Sequence, residues 1–486
     1  MRRPALALVV ASLLASAPRA VAAAEDAWGL FVAARDGDAA KAKALLDAGT
    51  RPDAPHAGAY SALMFAAEGG HLEVVRLLLA RGADPRHVDH NGDTALHWVA
   101  RAGRLEAARL LLDAGAAVDA LDRADAGPLA AAARYGHVEV ARLLVERGAD
   151  VARRDHTGTP VMAAAALAGS AAILDLLIAR GAPVDVADKI LRQTPLLVAA
   201  QFGRTDAVAR LLAAGAGVDR PDADGRTPLS AAAAAGHAEV VERLLERGAD
   251  PGRADAAGRT AFELAVAGGH AAAADRLVGV TPHLPAALVA AAGAGADDLA
   301  RRLLARGADA NAADPDGRAP LVAAAASGSL ATVDVLLAGG AKVDRVGGPA
   351  IVAGAGSKAI VVRLVAAGVP VDARDADGAT AFLRAASLGQ AGVVDWLLAQ
   401  GADRTARDAA GRDVFAWMDA ATAAKDAALA AFTAKRSIDV AEQRRMQALL
   451  LQEEGRQFLR RRLEGTARPS AGAGAPDAPP KDAPPK

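Results

Sequence analysis

Histidines give this chain its widest choice of chemistry, since an imidazole can bind a metal or move a proton. The sequence has ten of them and no cysteine. His87 and His90 flank Asp89 and offer ligands for a divalent cation, but no third ligand lies close by in the sequence. Without cysteine, disulfides and cysteine-ligated zinc are excluded.

A second candidate for chemistry is the segment 354–358, which reads Gly-Ala-Gly-Ser-Lys. Phosphate-binding loops need the order G-x-x-x-x-G-K-[ST], which this segment lacks. The sequence also lacks the G-x-S-x-G and H-E-x-x-H motifs of hydrolases. We therefore predict no catalytic residues, no bound cofactor and no metal.

The composition narrows the class of protein further. Of the 486 residues, 52% are hydrophobic but only 3% are aromatic. Lys and Arg total 56 against 57 Asp and Glu, so the formal charge is −1 and no overall basic field attracts nucleic acid. A chain with so few bulky side chains does not favour one large packed core.

The first 24 residues have the order of a secretory signal peptide. Arg2 and Arg3 precede an apolar run that ends in small residues before Glu25. The run is too short to span a bilayer, which takes about 20 apolar residues. We predict cleavage near Ala22 or Ala24 and a mature protein that is periplasmic or secreted, without stable membrane insertion. A buried N-terminal helix and export by the twin-arginine route are alternatives. The alanine- and arginine-rich composition favours a bacterial periplasm.

An internal repeat organises most of the remaining chain. The glycine that ends each Leu-Leu-x-x-Gly segment recurs with a period of 33 residues in most steps, as from Gly82 to Gly115. About twelve copies fill residues 25–404 if a shortened copy lies near Gly279, and a thirteenth begins at Asp408.

One copy shows why each unit is predicted to be a helix-turn-helix. Thr227 is placed to cap a helix whose first residue is Pro228, and Gly236 is placed to end that helix in the left-handed conformation. The first helix is alanine-rich, which favours close approach between layers. The second helix has an apolar face at helical spacing: Val240, Val241, Leu244 and Leu245.

This pattern resembles the ankyrin repeat family. The family signature T-P-L-H-x-A-A-x-x-G-H is approached at residues 61–71, 94–103, 194–203 and 227–237, and the resemblance covers about four-fifths of the chain. It implies an all-α solenoid of about twelve helix-turn-helix units with short hairpin loops, which binds other proteins on its concave face and is not catalytic. Five histidines at fixed repeat positions are then expected to be structural: His71, His97, His137, His237 and His270.

The repeats and their irregularities divide the chain into segments. These are a signal peptide at 1–24, a first array at 25–278, a second array at 279–412 with irregular copies near 279–285 and 346–372, a capping and helical segment at 413–465, and a disordered tail rich in Pro and Ala at 466–486. In the C-terminal helical segment, an apolar stripe is expected from Met446, Leu449, Leu450, Phe458 and Leu459.

The positions that vary between copies, while the rest of the repeat stays constant, indicate where a partner would bind. The hairpin tips and the variable pair of each inner helix run from basic to aromatic over copies three to six, whereas the pair in the next copy is Ala234 and Ala235. Arg and Tyr often anchor interfaces. The candidate partner-binding residues are His90, Asn91, Asp93, Arg101, Arg123, Arg134, Tyr135, His156, Lys189, Ile190, Arg192, Gln201 and Phe202. We expect them to hold an acidic stretch of a protein partner.

The sequence thus predicts an exported, non-catalytic scaffold for protein–protein interaction that acts as a monomer. Two alternatives stay open. One is an exported effector or toxin whose activity lies in the C-terminal helical segment, and the other is an enzyme that uses the concave groove.

Overall fold

The computed structural model describes residues 25–54, 59–433 and 440–467. The predicted signal peptide at 1–24 lies outside the described residues, as does the predicted tail from residue 468 onward. The described part of the chain forms 26 α-helices and no β-strand, which confirms the predicted all-α repeat fold. It falls into two compact units, which divide after Pro282.

Helices pair along the chain as the repeat predicts. The first unit contains α1 (25–36), α2 (Ala39–Asp47), α3 (Ala62–Gly69), α4 (Leu72–Ala80), α5 (Ala95–Ala102), α6 (Leu105–Asp113), α7 (Pro128–Tyr135), α8 (Val138–Glu146), α9 (Val161–Ala168), α10 (Ala171–Ala179), α11 (Pro195–Gln201), α12 (Thr205–Ala213), α13 (Pro228–Ala235), α14 (Ala238–Glu246), α15 (Ala261–Ala267) and α16 (Ala271–Leu277). The second contains α17 (Leu284–Gly293), α18 (Asp297–Ala305), α19 (Pro320–Ser327), α20 (Leu330–Ala338), α21 (Val343–Ala353), α22 (Lys358–Ala366), α23 (Ala381–Ser387), α24 (Ala391–Ala399), α25 (Val414–Thr433) and α26 (Val440–Ala467).

The ends of α13 confirm the local rules read from the sequence. The hydroxyl of Thr227 accepts a hydrogen bond from the backbone N–H of Ser230 at 3.2 Å. Pro228 is the first helical residue, where a missing N–H costs nothing. Gly236 ends the helix with φ of +81°, a conformation that disfavours any side chain.

Each repeat adds a thin apolar layer to the core. In α13 and α14, Leu229, Val240, Val241 and Leu244 are buried, as are the alanines at the centre of α13. Leu245 is only half-buried, so the prediction that it shares the core face is wrong. Small side chains on the first helix let the layers approach closely.

Hairpins join the repeats and link to each other through the backbone. Oδ1 of the buried Asp222 accepts hydrogen bonds from the N–H groups of Asp224 and Arg226, both at 2.9 Å. The N–H of Ala223 donates to the carbonyl of Leu191 in the preceding hairpin at 2.8 Å. The buried carboxylate of Asp222 thus holds its turn in shape, and a backbone hydrogen bond links this turn to the preceding one.

The irregular copy at 346–372 has lost its hairpin. α21 begins shortly after α20 ends, is 11 residues long and contains Pro349, and a short 3₁₀ turn at Gly354–Gly356 joins it to α22. The glycine-rich segment 354–358 therefore forms a turn between helices. The exact limits of the two arrays read from the sequence stay predictions.

The C-terminal segment begins as a thirteenth repeat. The Trp417 indole N–H donates to Oδ2 of Asp408 at 3.0 Å, as that of Trp98 does to Asp89 at 3.1 Å. Helix α26 then packs back onto the last repeats, where Arg462 pairs with Asp395.

The apolar stripe predicted for α26 is wrong in part. Met446 and Leu459 are buried, together with Leu463, but Leu450 and Phe458 are exposed. The buried face therefore keeps Met446 and Leu459 of the predicted stripe, but it also includes the charged residues Glu453 and Arg456. The helix also continues to Ala467, past the predicted start of the tail at 466.

Candidate partner-binding surface

Most of the histidines at fixed repeat positions hold neighbouring repeats together. We call such residues, which support the repeat structure itself, the frame. The rings of His71, His137 and His237 donate from Nε2 to the carbonyls of Arg35, Arg101 and Gln201 at 3.0, 2.8 and 3.1 Å. Each bond joins the start of a second helix to the end of the preceding repeat's first helix. The predicted structural role is confirmed for these three.

His97 is buried at the start of α5. Its Nδ1 accepts from the backbone N–H of Thr94 at 3.1 Å, and its Nε2 donates to the carbonyl of Ala126 at 3.2 Å. Burial lowers the pKa of the imidazole, which keeps the ring neutral. The side chain therefore ties one repeat to the next hairpin.

Most of the predicted binding residues are exposed or half-buried. Tyr135 exposes 57% of its surface and Phe202 48%, which is high for aromatic side chains. Asp93 is the exception at 3%, so its expected exposure is wrong. It forms an ion pair with Arg101 of α5, whose own side chain stays partly exposed.

One cavity brings four of the predicted residues together. It has a volume of about 230 Å³ and lies between α5, α7, α9 and the two hairpins that follow α6 and α8. Asp93, Arg101, Arg134 and Tyr135 line it. It is large enough to hold one or two side chains of a partner.

Two acidic residues of the cavity already accept hydrogen bonds from the backbone of their own hairpins. Oδ1 of Asp122 accepts from the N–H groups of Ala124 and Ala126 at 2.8 and 2.9 Å. Oδ1 of Asp155 accepts from the N–H of Thr159 at 2.9 Å. These carboxylates are therefore committed to the hairpins.

Two cations of the cavity keep free hydrogen-bond donors. Arg134 is exposed and makes no side-chain hydrogen bond or ion pair within the described residues. Nε of Arg153 is buried without a hydrogen bond, although it forms an ion pair at 3.6 Å with Oδ2 of Asp150. An unsatisfied buried donor is costly, so this site favours an anionic ligand.

Arg153 was missed because the sequence analysis considered only hairpin tips and inner-helix pairs. It lies two residues before the hairpin aspartate Asp155, a position where the repeats also vary. Comparing that position across copies is the signal that finds it.

The other predicted residues lie outside this cavity. The hairpin at 189–192 exposes 65% of Ile190 and 50% of the neighbouring Leu191, and Arg192 has φ of +56°. Oδ1 of Asp188 accepts from the N–H groups of Ile190 and Leu191 and so holds this hairpin open. The remaining members are His90, Asn91, Arg123, His156, Lys189, Gln201 and Phe202.

Metal-ligating side chains do not gather elsewhere in the described chain. His87 donates from Nε2 to the carbonyl of Ala59 at 2.7 Å. No group of three or more His, Asp or Glu among the described residues is placed to hold a metal ion. Within the same residues, no helix has the length and apolar character needed to cross a membrane.

The family models that match this chain agree with this architecture. The model for "Ankyrin repeats (3 copies)" matches residues 30–122, 63–155, 118–188, 161–255 and 262–346, and the model for "Ankyrin repeat" matches residues 377–409. No curated protein matches the chain. Among solved structures, the human ASB11 ankyrin repeat domain is 30% identical over 45% of this chain and 97% of that chain, with a TM-score of 0.42.

Ankyrin repeat proteins are generally non-catalytic scaffolds that bind protein partners. Because the family models match more than half of its residues, this chain belongs to the ankyrin repeat family.

Proposed function

We propose that this protein is an exported, non-catalytic scaffold that binds an acidic segment of a partner protein between α5, α7 and α9. The guanidinium of Arg134 and the Nε of Arg153, which has no hydrogen bond, lie around one cavity beside the exposed ring of Tyr135 and support this most directly. An acidic side chain of the partner would satisfy the donors, while the ring supplies apolar contact area.

The C-terminal segment supports a scaffold better than an effector. Arg456 of α26 is buried and donates to the carbonyl of Ser387 at 2.9 Å, and Leu459 is buried too. A helix that shares its core with the last repeats is suited to closing the array, since the end of a repeat stack needs a cover.

Chemical cross-linking and capture in the native compartment tests the binding proposal. We expect Arg134→Ala with Tyr135→Ala to lose the captured partner, while Arg142→Ala keeps it. Arg142 is the matched control, because it is an exposed arginine of the same repeat on the second helix. Equal capture by both variants would refute the proposed surface.

Export is tested by the N-terminus of the protein recovered from its own cells. Cleavage after Ala22 or Ala24 leaves Ala23 or Glu25 as the first residue. A recovered chain that still begins at Met1 would contradict export through a cleaved signal peptide.

A further inference from the structure

The C-terminal helix pair encloses a cleft that the repeat frame does not require. α25 has 20 residues, whereas α23, the first helix of the preceding repeat, has seven. α26 crosses the turn after α23 at Gly389, where an added Cβ would collide with the carbonyl of Gln452. Beyond this crossing, α25 and α26 leave a cleft of about 540 Å³ against the end of α23.

The walls of this cleft are mainly apolar. Leu388, Ala428, Phe432, Met446 and Leu449 line it. Its volume lies within the range of small-molecule sites, about 300–1,000 Å³. An apolar cleft of this size is suited to a hydrocarbon group of a ligand.

Buried charges at one end of the cleft neutralise each other. Oε2 of Glu453 accepts from Nη2 of Arg456 at 2.6 Å and from the hydroxyl of Thr422 at 3.0 Å. Burial acts to raise the pKa of Glu453, but these hydrogen bonds outweigh it and hold the pKa below its usual value. Lys425, which lines the cleft, pairs with Glu453 at 3.7 Å and with Asp426 at 2.9 Å. Glu442 is the acidic residue among the described lining residues, and its side chain already has an interaction partner.

Two other cationic side chains that line the cleft have no partner within the described residues. Arg384 and Arg445 are exposed, and their side chains make no ion pair or hydrogen bond within the described residues. A cleft with apolar walls and free guanidinium groups matches a ligand with a hydrocarbon body and an anionic head.

We propose that this cleft binds a free single-chain carboxylate, a fatty-acid-like amphiphile, with its hydrocarbon chain between α25 and α26 and its carboxylate at Arg384 and Arg445. The site is separate from the partner-binding cavity between α5, α7 and α9, and it adds a small-molecule ligand to the proposed scaffold function.

Calorimetric titration of the full chain with monomeric laurate tests this inference, with dodecanol as the uncharged ligand. We expect the wild type to bind laurate more tightly than dodecanol. Ala428→Trp fills the cleft and should weaken laurate binding at least about tenfold. Ala427→Trp is the matched control, because Ala427 is exposed and does not line the cleft.

The charge variant separates the head group from the hydrocarbon chain. Arg384→Ala with Arg445→Ala should weaken laurate binding about tenfold and leave dodecanol binding unchanged. Equal binding of laurate and dodecanol, or undiminished binding by Ala428→Trp, would overturn the proposal. So would association only with anionic lipid vesicles, or a cleft-dependent dimer in place of laurate binding.

Discussion

The end of α7 and the end of α13 are built on the same frame but present different surfaces. Both helices end at a left-handed glycine, Gly136 with φ of +75° and Gly236 with φ of +81°. The two residues before that glycine are Arg and Tyr at 134–135 but Ala and Ala at 234–235, and all four are exposed. The residues that support the repeat and the residues exposed for binding therefore occupy different positions of one repeat. Residues of one kind can be substituted without changing residues of the other.

Removing a hairpin carboxylate should have the largest effect on the frame. Asp222→Ala leaves the N–H groups of Asp224 and Arg226 without their acceptor, and we expect a loss of about 2 kcal/mol in the free energy of unfolding, measured with urea. Asp224→Ala is the control, because its exposed side chain pairs only with Arg226 among the described residues. Equal losses in the two variants would contradict the assigned role of Asp222.

Changing the surface pair should alter binding without altering the frame. Arg134→Ala with Tyr135→Ala is expected to weaken partner binding about tenfold or more, since Tyr and Arg are frequent anchors. The free energy of unfolding should stay within about 0.5 kcal/mol of the wild-type value, because both side chains are exposed. A large drop in thermal stability would show that frame and surface are coupled here.

The free energy of unfolding should depend on pH through the buried frame residue His97. Because burial lowers the pKa of His97, the unfolded chain takes up a proton more readily than the folded chain. Stability is then lost as pH falls through the ordinary histidine range, about 6.5. We expect His97→Gln to flatten the slope of unfolding free energy, measured in urea at several pH values between neutral and mildly acidic. An unchanged slope would contradict the assigned role of His97.

The smallest effect is expected from a substitution that gives α7 the same N-terminal cap as α13. α7 begins after Gly127, which has no side chain to cap the helix, where α13 has Thr227. Gly127 has an extended backbone that threonine can adopt, and the nearest atom to an added Cβ is the carbonyl oxygen of Ala120 at 3.6 Å. Gly127→Thr should therefore raise the free energy of unfolding by about 0.5 kcal/mol in urea titration. Destabilisation would mean that the hairpin tolerates only glycine.

The sequence was sufficient to predict the structural features that depend on only a few neighbouring residues, such as where helices begin and end. The cap at Thr227 and the stop at Gly236 follow from side-chain and backbone preferences of those residues alone. The repetition of these signals set the helix pairs in register, so the all-α repeat fold was predictable.

Features decided by distant neighbours were not predictable in the same way. Asp93 lies beside a hairpin tip but is buried because Arg101 from the next helix pairs with it. Leu450 is exposed because α26 packs on α23, α24 and α25, and these neighbours set which face of the helix is buried. The cavity depends on three repeats at once, so its outline could not be predicted from any one copy.

Photo-cross-linking at two equivalent positions tests the central claim most directly. A photoreactive amino acid would replace Tyr135 in one variant and Ala235 in another, each expressed as the full chain in its own cells. We predict a cross-linked partner protein from position 135 and none from position 235. A partner that cross-links at 235 and not at 135 would contradict the account.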